Sequence, residues 1–280
     1  MILVVGGTGN IGTELVKGLR AAGADFKLLL RPGSAPIADI ESVVGDLSDR
    51  ASLDAALDGV DKAFLVSSPH PDAVTLQSTF IDACVDAKVS HLVKSSVYGA
   101  ETPTETRFIE AHRKIEAHLF AAGLPYTLLR PNLFHQTTLA SLAAIKTGVL
   151  PQPQGDGAVS SVDVRDIAAV AVTALLKDGH IGKAYELTGP EALTSEATAK
   201  LIAAAAGYPV QYIDVDRAEY VTTLLGYGLG DFMASGLAEL YDYYKAGRAA
   251  RVSSDVETVT GSPARSYEAW LSESRPLFTR

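Results

Sequence analysis

Gly6, Gly9 and Gly12 recur at every third position of "VVGGTGNIGTELVKGL" (4–19), and Gly7 adds a second register, Gly7-x-Gly9-x-x-Gly12. Glycines in this pattern act through the backbone. The first permits a tight turn, the second lets the chain approach a pyrophosphate, and the third lets a helix pack close on a strand. The N–H groups across Gly6, Thr8, Gly9, Asn10, Ile11 and Gly12, with the positive end of the following helix, then hold phosphate. A plain glycine turn is the competing reading, and the clear strand before the loop and clear helix after it weigh against it.

The next residues with chemistry close the apolar runs. Arg31, followed by Pro32, Gly33 and Ser34, ends the second run. An acid there would favour a free ribose 2′-hydroxyl, whereas an arginine can stack on adenine and pair with a 2′-phosphate, so NADP(H) is expected over NAD(H). Asp46 and Leu47 close the third run, where a carboxylate can meet the adenine amino group and a leucine can cover the ring; a turn role for Asp46 competes with this. Ser67 and Ser68 end the fourth run, small enough for the backbone to lie against the nicotinamide ribose. Ser95 and Ser96 end the fifth, Ser95 expected on the cofactor and Ser96 on the substrate, with strand capping as the alternative. Past the sixth run, "RPNLFHQ" (130–136) sets Asn132 to orient a polar group, Phe134 to stack on a flat ligand and His135 to donate a hydrogen bond, unless the stretch merely starts a helix.

Positioning these residues requires an alternation of short apolar strands and amphipathic helices. Strands are expected at 2–5, 25–31, 41–49, 62–69, 90–96 and 125–131, with helices between them. Strands that are apolar throughout mean a parallel sheet covered on both faces, here a doubly wound, Rossmann-type α/β sheet. After Pro131 a helix is expected through "NLFHQTTLASLAAIKTG", then a Pro/Gly loop, "VLPQPQGDG", then a helix after Asp163 as N-cap with Asp166 in its first turn. "KAYELTGP" returns to the sheet. Beyond about residue 190 short helices dominate, with one alternating strand at 210–215. The expected division is residues 1–131 and 158–188 as the dinucleotide-binding domain, and 132–157 and 189–280 as a smaller, mostly helical substrate lobe.

Composition narrows the partners. The 280-residue chain is 47% hydrophobic and 20% charged, ample for a core and poor for disorder. A net charge of -9 repels phosphate backbones, which argues against nucleic acid. The first apolar run stops at Val5 without a basic leader, so it reads as a strand and not a signal peptide, and no run is long enough to span a membrane. The single cysteine, Cys84, sits at helical spacing among apolar neighbours, and a reducing, cytoplasmic setting is consistent with it. The six histidines, at 70, 91, 112, 118, 135 and 180, are scattered, so no metal site is expected. A monomer or homodimer acting on a small molecule is the expected form.

The stretches "GGTGNIG", "LLRPGS", "GDLSD", "FLVSSP", "DACVDAKVSHLVKSSVYGA", "IEAHLFAAGLPYTLLRP", "VDVRDIAAVAV" and "YELTGPEALT" together resemble the NmrA-like branch of the atypical short-chain dehydrogenases/reductases. That family includes NADPH-dependent quinone reductases and triphenylmethane-dye reductases, and also dinucleotide-binding regulators that do not turn the cofactor over. Ordinary short-chain reductases carry Tyr-x-x-x-Lys on the helix after the fifth strand, where the ammonium lowers the phenol's pKa for proton donation. Aligned through Glu116, this chain has Phe108 and His112 at those places. The only such string, "YDYYK" (241–245), lies far downstream and reads as packing. The resemblance therefore implies hydride transfer to a conjugated, electron-poor acceptor such as a quinone, an enone or a dye, with Tyr98 or His112 as the remaining proton-donor candidates. The alternative is a non-catalytic NADP(H) sensor acting through a protein partner.

Overall fold

The computed structural model describes all 280 residues, Met1–Arg280. In chain order the elements are β1 (Ile2–Val5), α1 (Asn10–Ala21), β2 (Phe26–Leu30), β3 (Ser42–Val44), α2 (Arg50–Ala56), β4 (Lys62–Leu65), α3 (Ala73–Asp86), β5 (His91–Ser95), α4 (Arg107–Ala122) and β6 (Tyr126–Pro131). A 3₁₀ segment (His135–Ser141) follows, then α5 (Leu142–Thr147), β7 (Val149–Gln152), β8 (Ala158–Val159), α6 (Val164–Leu176) and β9 (Lys183–Leu187). The chain closes with β10 (Leu193–Thr194), α7 (Ser195–Ala206), β11 (Gln211–Asp214), α8 (Arg217–Gly226), α9 (Asp231–Lys245), α10 (Asp255–Thr260) and α11 (Tyr267–Phe278).

The residues form two compact units. One comprises Met1–Pro103, Ile109–Arg130 and Val164–Glu186, the other Thr104–Phe108, Pro131–Asp163 and Leu187–Arg280. Residues 158–163 and 104–108, which the sequence pattern places with the sheet, group with the second unit instead. Their bonds explain it: β8 pairs with β10, Ser160 bonds the Ala249 and Arg251 carbonyls, and Arg107 pairs with Glu239.

The first unit is built on a seven-stranded parallel sheet in the order β3-β2-β1-β4-β5-β6-β9. Val4 in the middle of β1 pairs with Leu28 on one side and Phe64 on the other, and all four β1 residues are buried. That two-sided burial is why the strand is apolar without alternation. Leu3, Val5, Leu65, Leu92 and Leu128 form one face of the sheet, packed against Leu53 of α2, Phe80, Ile81 and Cys84 of α3, and Ile115 and Leu119 of α4. On the opposite face α1 crosses α6 so closely that a Cβ on Gly18 would collide with Val172. Each fully buried leucine contributes roughly 2 kcal/mol. Strand β3 fills only the start of the stretch 41–49, whose polar end is the turn closed by the Asp49 N–H on the Asp46 carbonyl, leading into α2.

The second unit has its own core of Ile145, Leu150, Ile202, Trp270, Leu271 and Phe278. Its "VLPQ" stretch, read in sequence as loop, is strand β7, paired in parallel with β11. The proline misleads: in a two-stranded sheet every strand is an edge, and Pro151 can keep its missing N–H side unpaired. The helix expected through 132–148 starts only at His135, as 3₁₀, and is α only over Leu142–Thr147. The Thr137 hydroxyl there bonds the Phe134 carbonyl, a local side-chain bond that competes with regular helix. No helix is long and apolar enough to cross a membrane.

Candidate active site

The three glycines after β1 have three different duties. Gly6 turns the chain at φ +81°, and a Cβ there would overlap the Val66 carbonyl just beyond β4. A Cβ on Gly12 would overlap the Gly6 carbonyl, so only glycine lets α1 sit this close to β1. On Gly9 a Cβ would meet nothing nearer than the Gly6 oxygen, at 3.5 Å, leaving its outer side open. Thr8, Gly9 and Asn10 are exposed there, whereas the Ile11 side chain is 3% exposed and offers only its amide. Helix α1 has no side-chain cap and no acid in its first turn. The amides of Asn10, Ile11 and Gly12 thus point outward unspent, at the positive end of the helix. The cradle fits a pyrophosphate.

Arg31 follows β2 directly and is exposed, with no hydrogen-bond or ion-pair partner in the chain. A turn closed by the Ser34 N–H on the Arg31 carbonyl, with Gly33 at φ +82°, keeps Ser34 beside it. Asp46 accepts from the Ser48 N–H (2.8 Å) and hydroxyl (2.6 Å) through one oxygen. Those bonds, with a smaller contribution from the Arg31 charge, hold its carboxyl below the ordinary range. Asp46 therefore shapes the turn into α2 through this one oxygen. Leu47 packs partly into the core.

At the end of β4, Ser67 accepts from the Gln77 amide at 2.9 Å while Ser68 is exposed. Gln77, on α3, is 2% exposed, and its carbonyl oxygen is the one buried side-chain polar atom with no partner.

The end of β5 holds a buried polar network. Lys94 is completely buried. Its ammonium donates to the Ser95 carbonyl at 3.1 Å and lies 3.0 Å from Nδ1 of His112 on α4. Burial pushes the Lys94 amine down to about 7, Arg130 pushes the same way, and Glu116 opposes both. Burial and the neighbouring lysine charge hold the His112 imidazole well below its usual value. Ser96 donates to Glu116 Oε1 at 2.5 Å, and Arg130 clamps the same carboxylate with Nε at 3.1 Å and Nη2 at 2.6 Å. Arg130 also reaches Glu101, Nη1 to Oε2, at 3.3 Å. The Ser96 proton is thus committed to Glu116, which removes it as a donor to substrate. The Ser95 hydroxyl has no such commitment. Tyr98, in the turn after β5, is 7% exposed.

In the second unit two expected substrate contacts are structural. Asn132 is 4% exposed, with its amide donating to Ser160 Oγ (3.0 Å) and the Ala249 carbonyl (2.9 Å), and its oxygen accepting from the Leu133 N–H. His135 is 1% exposed, bonded to Ser161 Oγ and packed against Tyr267 and Trp270. Both hold the loop after β6 together and neither has an edge left for a ligand. Phe134 is partly exposed, its backbone bridged to Val162. Phe108 approaches α9 tip first, where a Cβ on Gly236 would overlap its ring, and meets Phe232 edge-on at 5.6 Å. The "YDYYK" stretch is packing: Tyr244 is buried, Tyr241 stacks on Tyr220, and Lys245 pairs with Asp214.

Sequence reasoning missed Lys94, Gln77 and the Arg130 clamp. The available signal was a lone lysine inside the apolar run "HLVKSS", since a charge in a strand buried on both faces needs a partner.

A parallel sheet carrying this glycine cradle and polar groups at its strand ends defines a dinucleotide-binding α/β protein. The chain belongs to the NmrA-like family, whose model it matches over residues 1–267. It is 38% identical over 272 residues to the NAD(P)H azoreductase of Xenophilus azovorans, covering 95% of each chain. It is 36% identical over 286 residues to the (4-alkanoyl-5-oxo-2,5-dihydrofuran-3-yl)methyl phosphate reductase of Streptomyces griseus, covering 99% of each. The structure of the NADPH-dependent quinone oxidoreductase QOR2 of Escherichia coli, complexed with NADPH, superposes with a TM-score of 0.89 at 28% identity, over 98% of this chain and 99% of the other.

Proposed function

We propose that the chain is an NADPH-dependent oxidoreductase that delivers hydride directly to a conjugated, electron-poor small molecule, quinone-like, enone or dye-like. The glycine cradle and the uncapped start of α1 would hold the pyrophosphate, with Arg31 on the 2′-phosphate and Ser67, Ser68 and Ser95 along the nicotinamide half. Bound there, the dinucleotide supplies the hydride. The observation that supports the direct-transfer reading is Phe108, a phenyl ring packed on Gly236 at the position that aligns, through Glu116, with the usual phenol. An acceptor that delocalises the arriving charge, or cancels it, needs no strong acid, and proximity can supply most of the rate. The named relatives reduce azo and butenolide compounds, and the structural neighbour a quinone, all conjugated acceptors.

The test is consumption of NADPH by the purified protein with a panel of quinones, enones, azo dyes and triphenylmethane dyes. Turnover with at least one conjugated class is expected. Binding of NADPH without consumption across the panel would reject the reading in favour of a sensor.

A further inference from the structure

Granting the reductase reading above, we propose that His112 is a neutral hydrogen-bond donor to the atom of the acceptor that becomes negative on hydride arrival, and that Lys94 is the positioning residue that fixes which ring nitrogen carries the proton. The geometry starts with a lysine that has no business in a central strand unless it is used. Lys94 is fully buried in β5, and one of its bonds runs 3.0 Å to His112 Nδ1. In its ammonium form Lys94 has only donors, so Nδ1 then accepts. A neutral imidazole whose Nδ1 accepts carries its proton on Nε2. That nitrogen has no partner in the chain. It is not sealed in either, because His112 is partly exposed and Gln77 owns the one buried, unpartnered side-chain atom.

The other groups around the pair leave this arrangement intact. Glu116, one helical turn after His112 on α4, is held by Ser96 and by Nε and Nη2 of Arg130, and Glu101 takes Nη1. The carboxylates are thus satisfied elsewhere and do not pull the imidazole into its charged form. Burial and the Lys94 charge both disfavour imidazolium. His112 therefore acts as a polarised N–H and not as an acid.

In the step itself, the hydride and its electron pair pass to the conjugated system of the acceptor, and the nicotinamide is left oxidised. A pair then settles on a carbonyl oxygen or nitrogen at the far end of the conjugation. His112 Nε2–H stabilises that anion without giving up its proton, and solvent water protonates the product after release. Donors of this kind matter only where charge develops. A cationic triphenylmethane dye ends neutral when it takes hydride, so it develops no anion for His112 to serve.

That contrast gives the experiment. Wild type, His112→Leu and His112→Gln are compared for kcat with a quinone and with a cationic triphenylmethane dye, alongside NADPH dissociation constants from fluorescence titration. His112→Leu should lower quinone kcat by roughly 100-fold, leave dye kcat within about threefold, and leave NADPH binding unchanged. His112→Gln, which keeps an N–H donor, should recover much of the quinone rate. Lys94→Met should reproduce the quinone-selective loss and flatten its pH dependence near neutrality; if that variant does not fold, the His112 pair decides alone. Equal losses with both acceptors, or a loss confined to NADPH affinity, would overturn the proposal while leaving the reductase reading intact. A wild type inactive with every acceptor would remove that reading itself.

Discussion

At the scale of single residues, the phenyl ring of Phe108 shows why a missing functional group cannot simply be put back. Its tip lies so close to Gly236 that a Cβ there would overlap it. Phe108→Tyr should therefore lower stability by about 1–3 kcal/mol through overpacking and fail to raise turnover, checked by denaturant unfolding beside a rate assay. A gain in rate at unchanged stability would contradict this packing. Arg31 makes the second residue-scale prediction. It is exposed and unpaired, and a charge-assisted pair with a 2′-phosphate is worth about 1.5–3 kcal/mol. Arg31→Ala should weaken NADPH binding by roughly 10- to 100-fold and barely change NADH binding, as calorimetry would show. Gly6 and Gly12 were legible in the sequence because each answers a backbone requirement tied to one place in the pattern. Asn132 and His135 were misleading because a polar residue after a strand looks the same whether it meets a ligand or a neighbouring carbonyl. Their partners, Ser160, Ala249 and Ser161, are distant in the chain.

At the scale of elements, the approach of α1 to β1 is the joint on which cofactor binding depends. Gly12→Ala places a methyl group on the Gly6 carbonyl. The helix must shift, so NADPH affinity should fall at least tenfold, read by fluorescence titration, with circular dichroism reporting a folded sheet. Strand β5 carries a second consequence. Lys94 moves from 10.5 in the unfolded chain to about 7 in the folded one. Between those values the unfolded state binds more protons, so stability rises with pH through that window, and the cost of burying the charged amine is greatest below it. Denaturant midpoints of the wild type should climb from about pH 7 toward pH 9 more steeply than those of Lys94→Met. Parallel slopes would mean Lys94 keeps its proton throughout. Strands of the main sheet were readable because burial on both faces leaves long apolar runs. Strand β7 was not, since "VLPQ" is short, contains Pro151 and owes its existence to pairing with the remote β11.

At the scale of the whole molecule, the sequence announces the two compact units unevenly. The first unit is written in a periodic code of strand, loop and helix, and its fold and cofactor preference follow from that code. The second is held by a core that gathers residues remote in sequence, such as Trp270, Ile145 and Leu150, which no periodicity reveals. A net charge of -9 gives no attraction for an anionic acceptor, so a neutral or cationic conjugated molecule suits the surface better. Binding to the folded state alone should raise its stability by about 2.7 kcal/mol at NADPH a hundredfold above its dissociation constant, visible as a higher melting temperature, with a smaller rise for NADH at the same concentration. The measurement that bears most directly on the account is steady-state oxidation of NADPH by the wild-type protein with a quinone as acceptor. Turnover that saturates in both NADPH and quinone is expected. Saturable NADPH binding with no oxidation above the protein-free rate, for quinones and every other conjugated acceptor tried, would contradict it.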